Sequence, residues 1–245
     1  MRHSIYDDPA FFEGYSRLRR AAEGLTQAPE WPSLSALLPD FAGLRVVDLG
    51  CGFGWFCRYA AEQAAAEVLG LDLSERMLER ARAATTDPAV TYRQADLDAL
   101  TLPPAGFGLA FSSLVLHYLV DLDGLFATVR QALVPGGRLV FSMEHPIFTA
   151  PTVPRWLVDT TGHTIWPVDA YALEGPRTVE WLGARVTKHH RTLGTILNSL
   201  IHAGFVVRHV EDWAPSATEV AADAALAVEW DRPMFLLVAA QAAEA

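Results

Sequence analysis

Cysteine is scarce, with only Cys51 and Cys57 in 245 residues. Their spacing is neither C-x-x-C nor that of a disulfide framework, so a redox dithiol and a stapled secreted scaffold are both excluded and a reducing, cytoplasmic setting is expected. Long uncharged apolar runs are missing too, and the start, Met1-Arg-His-Ser-Ile-Tyr-Asp-Asp8, lacks the apolar centre of a signal peptide. No membrane partner is expected. Basic residues are in deficit, with 19 Lys and Arg against 29 Asp and Glu and a net charge of -10. That balance disfavours a polyanion, so no nucleic acid is expected as partner. His189 and His190 are adjacent but have no cysteine or third histidine at ligand spacing, so no metal is expected. Repeats and low-complexity linkers are absent, which leaves one domain of 51% hydrophobic and 20% charged residues, a composition suited to an enzyme acting on small molecules.

The stretch that organises the chain is 45–54. Val46, Val47 and Leu49 form a short apolar run that reads as a buried parallel strand, and residues 55–63 read as a helix packed back on it. Between them stands Asp48-Leu-Gly-Cys-Gly-Phe-Gly54. Glycines in such a turn permit positive φ and let a ligand approach the backbone, and the helix start behind them offers free N–H groups. A dinucleotide fingerprint counted from Gly50 would need its third glycine at 55, where the chain has Trp55. A pyrophosphate site is therefore disfavoured.

The pattern D-x-G-x-G-x-G, complete in Asp48, Gly50, Gly52 and Gly54, resembles the first motif of the class I S-adenosylmethionine-dependent methyltransferases. The resemblance implies S-adenosylmethionine as cofactor, with Gly50, Cys51, Gly52 and Gly54 under its amino-acid part and Asp48 helping to hold its ammonium group. Further along, 67–72 is an apolar strand ending in Asp72, placed where a carboxylate can accept both ribose hydroxyls of an adenosine. By resemblance, Leu73 and Met77 pack near the adenine. A third strand over 90–94 leads to Asp96 and Leu97, which in that family meet the adenine amino group and a ring nitrogen.

A fourth strand over 107–112 delivers Ser113 and then His117 and Tyr118 to the carboxyl end of the sheet, where open α/β folds bind ligands. Enzymes of this family that methylate nucleobase amines carry Asn/Asp-Pro-Pro-Tyr here. Ser112-Ser113-Leu114-Val115 departs from it, and the chain is closer to the small-molecule enzymes of the quinone-biosynthesis type. A helix over 122–133 stops at Pro135-Gly136-Gly137, a fifth strand covers 138–143, and Glu144-His145-Pro146 follows at its carboxyl end. His117 and His145 are the two candidate general bases for a hydroxyl acceptor.

The remaining stretches frame this core. Residues 1–40 hold Tyr6, Phe11, Phe12 and Tyr15 at spacings suited to short amphipathic helices, and the resemblance makes them a lid with Tyr6 and Tyr15 as contacts. Residues 41–145 form the cofactor-binding core and 146–192 a substrate-side insertion. In the latter, 177–190 reads as a hairpin turning at Leu182-Gly183, while Trp156 and Trp166 either bind an apolar substrate or anchor the insertion. Lys188, His189, His190 and Arg191 form a local basic cluster open to a substrate carboxylate or phosphate. In 193–245 a helix over 193–203, a strand over 205–210, a helix over 217–230 and a last strand over 234–241 complete the chain. The expectation is an α/β, doubly wound, seven-stranded, mostly parallel sheet, with methyl transfer to a small-molecule O, N or C nucleophile by a monomer or homodimer. A non-catalytic S-adenosylmethionine-binding protein and an NAD(P)-dependent oxidoreductase stay open as alternatives.

Overall fold

The computed structural model describes residues 4–244; Met1, Arg2 and His3 of the expected lid lie outside the described residues. The chain begins with three short helices, α1 (Pro9–Ser16), α2 (Arg19–Ala22) and α3 (Trp31–Ala36). Asp8 caps α1 by accepting the Ala10 and Phe11 N–H groups, and Pro9 takes the first helical position, where a missing N–H costs nothing. Alternation of strand and helix follows: β1 (Arg45–Leu49), α4 (Trp55–Glu62), β2 (Glu67–Asp72), α5 (Glu75–Ala83), β3 (Val90–Gln94), β4 (Phe107–Ser113), α6 (Leu122–Ala132) and β5 (Leu133–Glu144). The single turn α7 (Pro146–Thr149) opens the insertion, which carries the hairpins β6 (Leu157–Val158) with β7 (Thr164–Ile165) and β8 (Gly175–Trp181) with β9 (Ala184–His190). The chain closes with α8 (Leu193–His202), β10 (Phe205–Asp212), α9 (Ala217–Ala222) and β11 (Phe235–Ala242).

Seven strands form one sheet in the order β10-β11-β5-β4-β1-β2-β3, with β11 antiparallel to both neighbours and the rest parallel. Strand order reverses at β1, which lies between β2 and β4, so a crevice opens beyond the carboxyl ends of these strands. Both faces are covered, and the strands accordingly alternate between two cores. Val47 and Leu49 of β1, Phe141 of β5 and Leu236 and Val238 of β11 pack on one side. Val46, Phe111 of β4, Val140 and Leu237 pack on the other, where Phe56 of α4 stacks on Phe111 at 3.5 Å between ring centroids.

Two expectations change. The fifth strand starts at Leu133 rather than 138, because Phe107 pairs with Leu133 and Leu109 with Arg138, the intervening residues bulging out with Gly136 at φ +75. The expected helix over 217–230 is two pieces, α9 and a 3₁₀ helix Ala224–Trp230. Asp223 is extended between them, and its side chain caps the second piece at Ala225 N–H.

Candidate functional site

A cavity of about 550 Å³ lies over the carboxyl ends of the central strands, a size suited to a small ligand. A recess of about 90 Å³ adjoins it; Tyr15, Arg20, Gly50, Gly52 and Ser113 line both. The glycine loop forms the shared wall. Gly50 has φ +83, and a β-carbon there would stand 2.3 Å from Val115 Cγ2, so the loop after β4 packs directly on its backbone. Gly52 has φ +51 and meets nothing within 4 Å on its β-carbon side, which leaves its backbone open to a ligand. Gly54 is different: it caps α4, a β-carbon would strike the Tyr92 hydroxyl at 2.1 Å, and it lines neither space. Its role is packing, so the expected ligand contact is withdrawn.

Asp72 ends β2 inside the cavity. Its Oδ2 accepts the Gly52 N–H at 2.9 Å and its Oδ1 the Ser74 N–H at 2.9 Å, so the carboxylate fixes the glycine loop and keeps lone pairs for further donors. Burial raises it to about 6, against the pull of those two backbone bonds. Leu73, Met77, Asp96 and Leu97 line the same end. Asp48 and Cys51 line the recess instead. Burial pushes Asp48 up to about 7, and Cys57 donates its S–H to Asp48 Oδ2 at 3.3 Å. Both thiols are reduced and buried, and burial pushes them up as well, which leaves them inert.

The N-terminal segment closes the cavity through aromatic contacts. Tyr6 packs edge-on against Tyr15 and Phe11, Phe11 against Trp181 of β8, and Phe12 and Tyr15 against Phe53 of the glycine loop. Trp55, the residue standing where a dinucleotide site would need glycine, donates its indole N–H to Ala21 O at 2.9 Å and so anchors this segment. Asp7 accepts from the Ser74 hydroxyl at 2.6 Å, a second latch beside Asp72.

Sequence reasoning missed Arg20, which no local motif marks. It reaches the cavity from α2, pairs with the buried Glu30 at 2.6 Å and lies 3.5 Å from the Ser113 hydroxyl.

His117 lines the cavity, with 2% of its surface exposed. Its Nδ1 accepts the Glu144 backbone N–H at 3.2 Å. A backbone N–H can only donate, so the neutral ring carries its proton on Nε2 and presents a donor to the cavity. Burial is the main cause of its descent to about 4, with Lys188 adding to it and Glu144 opposing. His117 is thus a hydrogen-bond donor, and the general base expected there is withdrawn. The unfolded ring titrates near 6.5, so acidification protonates the unfolded chain first. The contribution of His117 to stability is therefore expected to fall from about pH 6.5 down to about 4, by about 3 kcal/mol, while the raised carboxyls of Asp48 and Asp72 act in the opposite sense over the same range. In His117→Asn, which can keep an acceptor for the Glu144 N–H, denaturant titrations across this range should lose that component; parallel curves for the two proteins would refute it.

His145 does not line the cavity. Its Nδ1 accepts the Ile147 N–H at 3.0 Å as cap of α7, and its Nε2 donates to Asp212 Oδ1 at 2.7 Å. With both nitrogens engaged it is a structural residue, and the expectation of a base at this position is corrected. The expected basic cluster also separates: Lys188 and His190, two apart on β9, share its buried face but meet different neighbours along the strand, and Arg191 lies beyond its end. Lys188 enters the cavity, whereas His190 donates to Tyr171 O and accepts from Thr149, and Arg191 donates to the carbonyls of Leu119 and Val120. Trp156 and Trp166 surround Arg232 together with Phe148, at 4.7–5.1 Å from its guanidinium carbon, so they anchor the insertion. The tryptophan at the cavity is Trp181, on the expected hairpin.

Comparison with known proteins identifies the family. The model of the methyltransferase-domain family matches residues 47–141. A solved structure of an S-adenosylmethionine dependent methyltransferase from Mesorhizobium loti is 58% identical, covering 89% of this chain and 100% of that one, with a TM-score of 0.86. This chain belongs to the S-adenosylmethionine-dependent methyltransferases. A candidate methyltransferase of the same kind from Listeria monocytogenes is 43% identical over 89% of this chain and 98% of that one, with a TM-score of 0.82. The malonyl-[acyl-carrier protein] O-methyltransferase of Erwinia billingiae is 37% identical over 100 residues, which is 41% of this chain and 39% of that protein. This methyltransferase is therefore an enzyme with S-adenosylmethionine as its methyl donor, on a doubly wound seven-stranded sheet. No helix among the described residues is long and apolar enough to cross a membrane, and no group of ligating side chains among them could hold a metal ion.

Proposed function

We propose that this methyltransferase transfers a methyl group to a small-molecule hydroxyl acceptor held between Tyr118, Trp181 and Glu144, with the cofactor bound from Asp72 to the glycine loop. The observation that carries the reading is one continuous cavity, lined at one end by Asp72, Asp96 and the glycine loop and at the other by His117, Glu144 and Lys188. The donor set fits S-adenosylmethionine: Asp72 for the ribose, Asp96 and Leu97 for the adenine, Gly52 as open backbone, Asp48 for the ammonium group and Arg20 for the carboxylate. The bound cofactor supplies an electrophilic methyl group on a sulfonium. The chain's own work is to align the acceptor and exclude water, which the aromatic contacts between Tyr6, Phe11 and Trp181 accomplish. O-methylation is also what the partly matching acyl-carrier-protein enzyme is named for.

The role of Arg20 can be isolated. Removing it alone would leave Glu30, 1% exposed, as an unpaired buried charge, so the double variant Arg20→Met/Glu30→Gln is the cleaner test. Its affinity for S-adenosylhomocysteine is expected to fall about tenfold by calorimetry, with 5′-methylthioadenosine, which lacks the carboxylate, bound as by wild type. Equal losses for both ligands would remove Arg20 from the carboxylate. The function itself is tested by release of S-adenosylhomocysteine with a panel of hydroxyl, amine and thiol acceptors; turnover confined to amines or thiols would overturn the hydroxyl reading.

A further inference from the structure

The cavity contains a charged pair that neither histidine's position explains. Glu144 ends β5 and Lys188 lies on β9, 44 residues later, and the two are joined by a hydrogen-bonded ion pair between Nζ and Oε1. Their side chains are only 14% and 9% exposed. Two such charges are costly to withdraw from water unless partnered fully, and this pair is not: Glu144 Oε2 is buried with no hydrogen-bond partner among the described residues. Glu144 lines the cavity, so a rotation of its carboxylate that turns Oε2 from its closed position to a ligand's donor would supply the missing partner. Asp72 and Glu144 sit at the ends of β2 and β5, three strand spacings or about 14 Å apart, so they serve different groups of what binds.

We propose that Glu144 is the group that takes the acceptor's proton and that Lys188 positions it, the acceptor being an uncharged, weakly acidic hydroxyl of the phenol class. This rests on the function proposed above. The charges select the class. A carboxylate acceptor would be repelled by Glu144 once Lys188 is already paired, and an ammonium acceptor would face Lys188. A neutral hydroxyl satisfies Oε2 as donor, and its oxygen gains the Lys188 ammonium as a neighbour while negative charge develops. Its aromatic body is matched by Trp181 and Phe148, whose ring centroids each lie 5.8 Å from Lys188 Nζ, and by Tyr118. His117 cannot compete for the proton, since its Nδ1 is occupied by the Glu144 N–H and its Nε2 already bears hydrogen. In the step, the hydroxyl proton moves to Glu144 as the oxygen's electron pair forms the O–C bond to the methyl group. The C–S bonding pair stays with sulfur, which becomes the thioether of S-adenosylhomocysteine, and Glu144 later returns its proton to water.

The test compares two probes, phenol and 4-nitrophenol, at mildly alkaline pH, where the second is largely ionised and needs no base. Glu144→Gln is expected to lower kcat for phenol by about 100-fold and for 4-nitrophenol by less than about fivefold. In Lys188→Met, the complex with S-adenosylhomocysteine should bind 4-nitrophenolate about tenfold more weakly, read from the visible absorption of the bound phenolate. Calorimetric affinity for S-adenosylhomocysteine should be that of wild type in both variants, which also reports that each is folded. Equal loss on the two probes in Glu144→Gln would overturn the proton-transfer role. Failure of either probe to bind the wild-type complex would overturn the phenol class. Failure of wild type to bind S-adenosylhomocysteine would instead sink the underlying reading.

Discussion

Asp72→Ala is expected to reduce affinity for S-adenosylhomocysteine by about 30- to 100-fold, or about 2–3 kcal/mol. Two losses combine in this one substitution. The carboxylate's remaining lone pairs are the proposed acceptors for the ribose hydroxyls, and charge-assisted bonds of this kind are the strong ones. The same carboxylate accepts the Gly52 N–H, so its removal also releases the glycine loop from β2. A pH signature accompanies the prediction. Burial holds Asp72 at about 6, and hydroxyl donors favour its ionised form, so protonation competes with binding and affinity should decline as pH falls below about 6. Asp72→Asn should bind weakly and lose the part of that decline centred near pH 6, keeping the part set by Asp48, which burial holds at about 7. Wild-type affinity in either variant, measured by calorimetry, would remove Asp72 from the site.

Gly50→Ala is expected to be nearly as damaging, by a steric route. At φ +83 an alanine meets the left-handed penalty, and its methyl group would stand 2.3 Å from Val115 Cγ2, so about 2–4 kcal/mol of strain must be relieved by movement. The yielding element is the segment after β4 that carries His117 and Tyr118. Cofactor affinity should fall at least tenfold and the melting temperature should drop. Adding Val115→Ala removes the clash and leaves only the backbone penalty, so the double variant should recover part of both. No recovery would show that the contact between loop and segment is not what makes glycine necessary at 50.

These two positions were legible in the linear chain because each belongs to a local unit. A strand end, a turn and a helix start are fixed by residues within ten of one another, and spacing alone placed Gly50, Gly52 and Asp72 at one end of the sheet. The hairpin turning at Leu182-Gly183 was legible for the same reason. His145 shows where this stops: the strand end was found, but two adjacent residues there face differently, and Glu144 rather than His145 lines the cavity. The basic run 188–191 failed for a different reason: Lys188 and His190 share the buried face of β9 but meet Glu144 and the Tyr171 carbonyl respectively, and Arg191 lies beyond the strand, so distant partners decide their roles. Trp156 and Trp166 were separable from Trp181 only by their surroundings, Arg232 in one case and the cap residues Phe11 and Tyr15 in the other.

By itself the sequence determined the order of strands and helices, the glycine loop, the two carboxylates that follow it and hence the family of chemistry. Tertiary structure decided which groups from distant segments meet in and around the cavity: Tyr6 with Tyr118, Trp55 with the Ala21 carbonyl, Arg20 with Glu30 and Ser113, and Glu144 with Lys188. The physical reason is that periodicity encodes which face of an element is buried, while the partner waiting on that face comes from a distant segment. Only the packed sheet, with its cap and hairpin closed over the strand ends, brings the two together.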